Sequence, residues 1–135
     1  MTGGFKTISA VMAAALLMAL ASGCWVGSSP EKTVSGALAA MEDLNVERMA
    51  SFFTEEARPY VVSGMGYALE RIDEIRVSSL ETRVVSETAD SASVEAEYDL
   101  ETVSSGRTRT VHVIKTVPLV DVGGNWLISD LSLIE

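Results

Sequence analysis

The chain changes its hydrophobic period twice. Residues 8–21 are apolar except for Ser9. After a short polar stretch, Val34, Ala37, Leu38, Met41 and Leu44 recur three and four apart, the spacing of one helix face. Ser29-Pro30-Glu31 supplies the start signals ahead of that face: a hydroxyl cap, a proline at the first helical position and an acid in the first turn. Asn45 reads as a second cap, with Val46, Met49, Phe52 and Phe53 as the next apolar face. Pro59 is expected to close that helical stretch, because the residue before a proline is biased away from helix. Gly64 and Gly66 argue against one continuous helix between residues 60 and 73, although Leu69 and Ile72 fit a short one.

From Ile75 the period becomes two. Leu80, Thr82 and Val84 alternate with Glu81 and Arg83, and Ala89-Asp90-Ser91 offers a turn. The next run is the cleanest in the chain: Ala92, Val94, Ala96, Tyr98 and Leu100 share one face, and Ser93, Glu95, Glu97, Asp99 and Glu101 share the other. With Ser105-Gly106 as a two-residue turn, Leu100 falls opposite Val111 and Tyr98 opposite Val113, which keeps the apolar residues together. The same register sets Asp99 opposite His112 and Glu101 opposite Thr110 on the outer face, so the lone histidine reads as a surface partner for a carboxylate. Pro118 is placed near the end of this strand, where a missing donor is tolerated. Gly123-Gly124 turns into a last strand over 125–133, whose faces are mixed: Trp126 and Ile128 on one, Leu127, Leu131 and Leu133 on the other.

Helices followed by a run of antiparallel strands give an α+β order, N-terminal helices packed on a sheet of about four strands. The domain organisation reads as a leader over 1–23, a tether over 24–29 and one folded unit over 30–135. Lys6 followed by the apolar run has the anatomy of a secretory signal peptide, and the run is shorter than the roughly 20 residues of a spanning helix. Residues Leu20 to Cys24 resemble the bacterial lipobox, in which small residues precede a cysteine that receives a diacylglycerol thioether before cleavage. The resemblance implies that Cys24, the only cysteine, is the lipidated first residue of a protein held on the extracytoplasmic side of the cell membrane or outer membrane. A tether of about five residues spans at most roughly 17 Å, so the folded unit is expected to ride close to the bilayer.

Cleavage there leaves nine basic against nineteen acidic residues, a formal charge of −10. Such a surface repels nucleic acid and anionic lipid, so no nucleic-acid partner is expected and membrane contact falls to the acyl chains. One histidine and one lipidated cysteine cannot build a zinc site, and alternate carboxylates on an exposed strand lack the convergence of a calcium loop, so neither metal nor cofactor is expected.

The stretch over 39–58, especially Met41-Glu42-Asp43-Leu44-Asn45 running into Met49-Ala50-Ser51-Phe52-Phe53, resembles the opening helices of the nuclear transport factor 2-like superfamily. The ending Gly123-Gly124-Asn125-Trp126-Leu127-Ile128-Ser129-Asp130 resembles its final strand. The resemblance implies a curved sheet wrapped around helices and a cone-shaped cavity. It assigns no reaction, because the superfamily hosts isomerases and dehydratases beside modules without catalysis. An isomerase of this kind needs an inward carboxylate and an oxyanion donor. The inward ionisable candidates are Lys115 and Asp130, which a longer loop before Trp126 would bring opposite each other, with Tyr98 on the same face. That trio reads first as a structural ion pair at the cavity rim, then as a ligand-orienting patch, and last as a catalytic site.

Three roles follow in order: a binding or interaction module for a small molecule or protein near the membrane, an isomerase or dehydratase using the cavity, and a structural domain that dimerises through its open sheet face. Replacing Cys24 with serine is expected to abolish fatty-acid incorporation and leave the precursor uncleaved. A Cys24→Ser chain that still incorporates labelled palmitate and matures refutes the lipidation reading.

Overall fold

The structure is a computed structural model describing residues 29–135. The expected leader over 1–23, Cys24, and the tether apart from Ser29 lie outside the described residues. Ser29 is extended and its Oγ accepts from Lys32 N at 3.2 Å, so helix α1 (Pro30–Glu42) starts at the expected cap. It ends in a paired closure: Asn45 N–H donates to Ala40 O and Leu44 N–H to Met41 O, both at 3.0 Å, with Leu44 in the left-handed region at φ 56°. Asn45 then caps the short helix α2 (Val46–Ala50), its side chain accepting from Arg48 N at 3.0 Å.

Pro59 opens a helix rather than closing one. Helix α3 (Arg58–Leu69) carries it in the first turn, where its missing N–H has no intrahelical partner to lose, and runs unbroken through Gly64 and Gly66. Those glycines face open space, while Val61, Met65 and Leu69, four apart, turn inward. Burial along that stripe outweighs the roughly 1 kcal/mol that each glycine costs a helix.

Four antiparallel strands form one sheet in chain order: β1 (Glu74–Glu87), β2 (Ser91–Ser104), β3 (Arg107–Val122) and β4 (Asn125–Ile128). The β2–β3 register is the expected one along its whole length, from Ser91 opposite Val120 to Ser104 opposite Arg107. Ser105 and Gly106 both have positive φ, 53° and 78°, as the favoured two-residue hairpin turn requires. In β1 a bulge between Ser78 and Glu81, with Ser79 at φ 55°, shifts the inward phase from Ile75 and Val77 to Leu80, Thr82 and Val84. Pro118 sits inside β3 rather than near its end.

The last strand is shorter than the expected 125–133. Ladder pairing stops at Ile128, and the chain turns through a 3₁₀ segment, Ser132–Ile134. The free edge of β4 is not exposed: Thr54 N–H donates to Ile128 O at 2.9 Å and Ile128 N–H to Phe52 O at 2.8 Å. Thr33, fully buried, donates from Oγ1 to Trp126 O at 2.8 Å and so bolts α1 to the same strand. The core lies between helices and sheet around Phe53, Leu38, Met49, Leu119 and Ile128.

At Gly36 the helical layer leaves no room for a side chain, since a Cβ there would stand 2.5 Å from Cε1 of the buried Phe52 ring. Gly36→Ala is therefore expected to lower stability by about 1–3 kcal/mol through overpacking, despite its better helix propensity. Urea unfolding checks this: a neutral or stabilised Gly36→Ala would mean the ring can swing aside, whereas Gly36→Ala combined with Phe52→Leu should recover part of the loss.

Candidate functional site

The constant β2–β3 parity puts Tyr98, Leu100, Val111, Val113 and Lys115 on the concave face, beside the helices. Ala92 and Ala96 share that face, and their small side chains let the helical layer approach the sheet closely. Where the packing opens, a cavity of about 260 Å³ remains between Tyr98, Val111 and Val113 on the sheet, Met41 of α1, Met65 of α3, and the segment around Leu133 and Ile134. Its volume lies just under the roughly 300 Å³ at which small-molecule pockets begin.

Tyr98 is 2 % exposed, and its hydroxyl has no hydrogen-bond partner among the described residues. A buried phenol normally finds one, so among the described residues this donor is left for water or a ligand. Burial also raises its pKa above 10.0, which keeps it a neutral donor. Lys115, diagonal to Tyr98 across the ladder, is half-buried, and its Nζ donates to the main-chain O of Glu135 at 3.1 Å.

Asp130 does not join them. The Gly123-Gly124 turn has two residues rather than a longer loop, so Leu119 pairs with Ile128 and nothing in β4 reaches Lys115. Asp130 is exposed, and its Oδ1 accepts from Ser132 N at 2.9 Å and Ser132 Oγ at 2.8 Å, capping the 3₁₀ turn. Of the expected trio, Tyr98 and Lys115 line the cavity and the carboxylate that would have acted as base does not. Met65 and the 134–135 segment entered the site unforeseen. The first depended on α3, and the second on a turn whose one sequence signal is Asp130 placed two residues before Ser132.

The convex face holds the other polar constellation. His112 Nδ1 lies 2.7 Å from Asp99 Oδ1, the expected partner, and its Nε2 lies 2.7 Å from Glu97 Oε2. Only the doubly protonated ring donates to both carboxylates. Arg83 pairs with Glu95 at 2.7 Å, and Arg76 with Glu101 at 2.7 Å and with Glu74. A depression of about 480 Å³ beside Glu81, Arg83, Glu95 and Glu97 is larger than the concave cavity. It is a trough among charged side chains, Arg83 and Glu95 paired across it, and lacks the apolar wall of a ligand site. Among the described residues no three metal-ligating side chains converge, and no helix is long and apolar enough to cross a membrane.

No protein-family model matches this sequence, nor does any curated protein. Solved structures do resemble it in fold. A proposed aromatic ring hydroxylase from Novosphingobium aromaticivorans aligns at TM-score 0.68 and 14 % identity, over 73 % of this chain and 80 % of that one. A ketosteroid isomerase-like protein from Erwinia carotovora atroseptica aligns at 0.65 and 13 % identity, over 78 % and 96 %. A proposed calcium/calmodulin-dependent protein kinase II association domain from Xanthomonas campestris aligns at 0.57 and 14 % identity, over 84 % and 97 %. The fold is thus of the nuclear transport factor 2-like, ketosteroid isomerase-like kind, and at these identities the likeness extends to the fold alone.

Hydrogen bonds that the protonated ring donates to Asp99 and then to Glu97 raise the His112 pKa above 6.5. Protonation therefore favours the folded chain, and the stability it contributes is complete below about pH 6.5 and lost as pH rises through the raised value. Titration of the His112 ring by NMR should give a midpoint above 6.5, falling towards it in a Glu97→Gln, Asp99→Asn double variant. A wild-type midpoint at or below 6.5 would refute the clamp.

Proposed function

We propose that this protein is a binding module, anchored through a lipid on Cys24 to the extracytoplasmic side of a membrane, whose concave cavity takes a small, largely apolar ligand. The observation that carries the reading is the cavity itself: about 260 Å³, mostly aliphatic and thioether in lining, with Tyr98, whose hydroxyl has no partner among the described residues, in its wall. A convergent polar group in an apolar concavity is the ordinary build of a ligand site. Met41 and Met65 suit it further, since unbranched thioethers adapt to ligand shape.

The catalytic alternative is weaker because Asp130, its expected base, is exposed and engaged in a turn. The dimerisation alternative calls for a contiguous apolar patch on the convex face. That face instead carries Glu95, Glu97, Asp99 and Glu101 with their cationic partners, and exposed Ile114 stands among them.

The test uses the full chain with ¹³C-methyl methionine, titrated with 1-octanol. Met41 and Met65 are expected to shift, Met49, fully buried away from the cavity, is expected to stay fixed, and Val111→Phe is expected to weaken binding about tenfold while keeping a native spectrum. Absence of shifts at Met41 and Met65, or equal binding by Val111→Phe, would sink the reading.

A further inference from the structure

The rim of the cavity is already occupied by part of the chain. After Asp130 the 3₁₀ turn inserts Leu133, 5 % exposed, and then the partly buried Ile134, and the main-chain O of Glu135 follows on Lys115 Nζ at 3.1 Å. In sequence this is two aliphatic groups followed by an oxygen acceptor on an ammonium. The fold has placed in its own cavity the outline of an amphiphile with a polar head.

Three observations say what such a head should be. Lys115 Nζ carries three N–H donors but has one partner among the described residues, the main-chain O of Glu135, so donors remain for an anion, to which a charge-assisted bond is roughly twice as strong as one to a neutral acceptor. Tyr98 supplies a second donor on the same face, and an anionic head has lone pairs for both. The cations of the sheet are also segregated. On the convex face Arg76 and Arg83 are each paired with carboxylates. On the concave phase of β3, beyond Val111, Arg109 and Arg107 are exposed and form no ion pair among the described residues. Among the described residues of the sheet, unpaired positive charge therefore falls on the concave phase, which steers anions towards that face.

Beyond the buried Leu133, the segment over 132–135 is held by few polar ties. Its polar ties are Ile134 N–H to Leu131 O at 3.0 Å, Ser132 Oγ to Thr116 O at 3.3 Å, the Asp130 cap and the Lys115 bond. The three side-chain ties are solvent-exposed, the kind of bonds that open well before the fold does.

We propose that the cavity takes a single-headed anionic amphiphile, an alkyl chain ending in a carboxylate or phosphate, with its head on Lys115 and Tyr98, and that the ligand enters by displacing Ile134 and Glu135. This rests on the cavity-binding reading above.

The experiment titrates the full chain, labelled at methionine and isoleucine methyls, with octanoate, octyl phosphate and 1-octanol, following Met41, Met65 and Ile134. At least one octyl anion should bind about tenfold or more tightly than octanol, and the tighter head identifies a free acid or a phosphate monoester as the source. Lys115→Met should erase that preference while octanol binding persists, and Lys115→Arg should retain it. Ile134 should move to a solvent-exposed environment as the anion saturates.

Equal binding of octanol and both anions, a preference that survives Lys115→Met, or an unmoved Ile134 overturns the inference and leaves the cavity reading intact. Failure of all three probes to shift Met41 and Met65 overturns both.

Discussion

The parity of the β2–β3 hairpin is the constraint from which the rest follows. Ser105 and Gly106 close the turn with two residues, both in the left-handed region, and no bulge interrupts the ladder behind them. Because strand side chains alternate with period two, slipping β2 by one residue against β3 would send Val94, Ala96 and Tyr98 to the outside and bring Glu95, Glu97 and Asp99 into the core, away from their convex-face partners. Burying three charged groups without partners costs several kcal/mol each, more than a domain of this size has in reserve. Fold, cavity and separation of charge between the two faces are therefore one decision, made at a two-residue turn.

The hydrogen bonds that join the helical layer to this sheet fall chiefly on β4. That strand is only four residues long, yet it is bonded on both edges, to β3 on one side and to Phe52 and Thr54 on the other. At the opposite edge β1 carries two register shifts and the alternating charges Glu81 and Arg83, features that discourage a further strand from adding there. Between these edges the sheet curves over α1 and α3, and the cavity is the space their apolar stripes do not fill.

What could be read from the chain follows from how local its causes are. The caps Ser29 and Asn45, the alternation of 92–101 and the Ser105-Gly106 turn act over a few residues, and each appears where the pattern placed it. Helix α3 was hidden because two glycines and a proline speak against a helix locally, while the burial of Val61, Met65 and Leu69 depends on a sheet folded later in the chain. The mixed pattern of 126–128 had a tertiary cause too, since all three side chains are buried once both faces and both edges of β4 are covered. The site divided the same way: strand parity alone placed Tyr98 and Lys115 inside, whereas Asp130 needed the length of a turn and the end of a strand.

The bond from Thr33 to Trp126 has a mechanical consequence. It lies within the first turn of α1, so a pull on the chain ahead of Ser29 meets β4 almost at once instead of unwinding the helix. β4 in turn passes the load in shear to β3 and to the Phe52–Thr54 segment, whose hydrogen bonds share it rather than failing one at a time. The cavity is lined farther along β2 and β3, off this path. A body dragged by its leading end would keep this cavity undistorted.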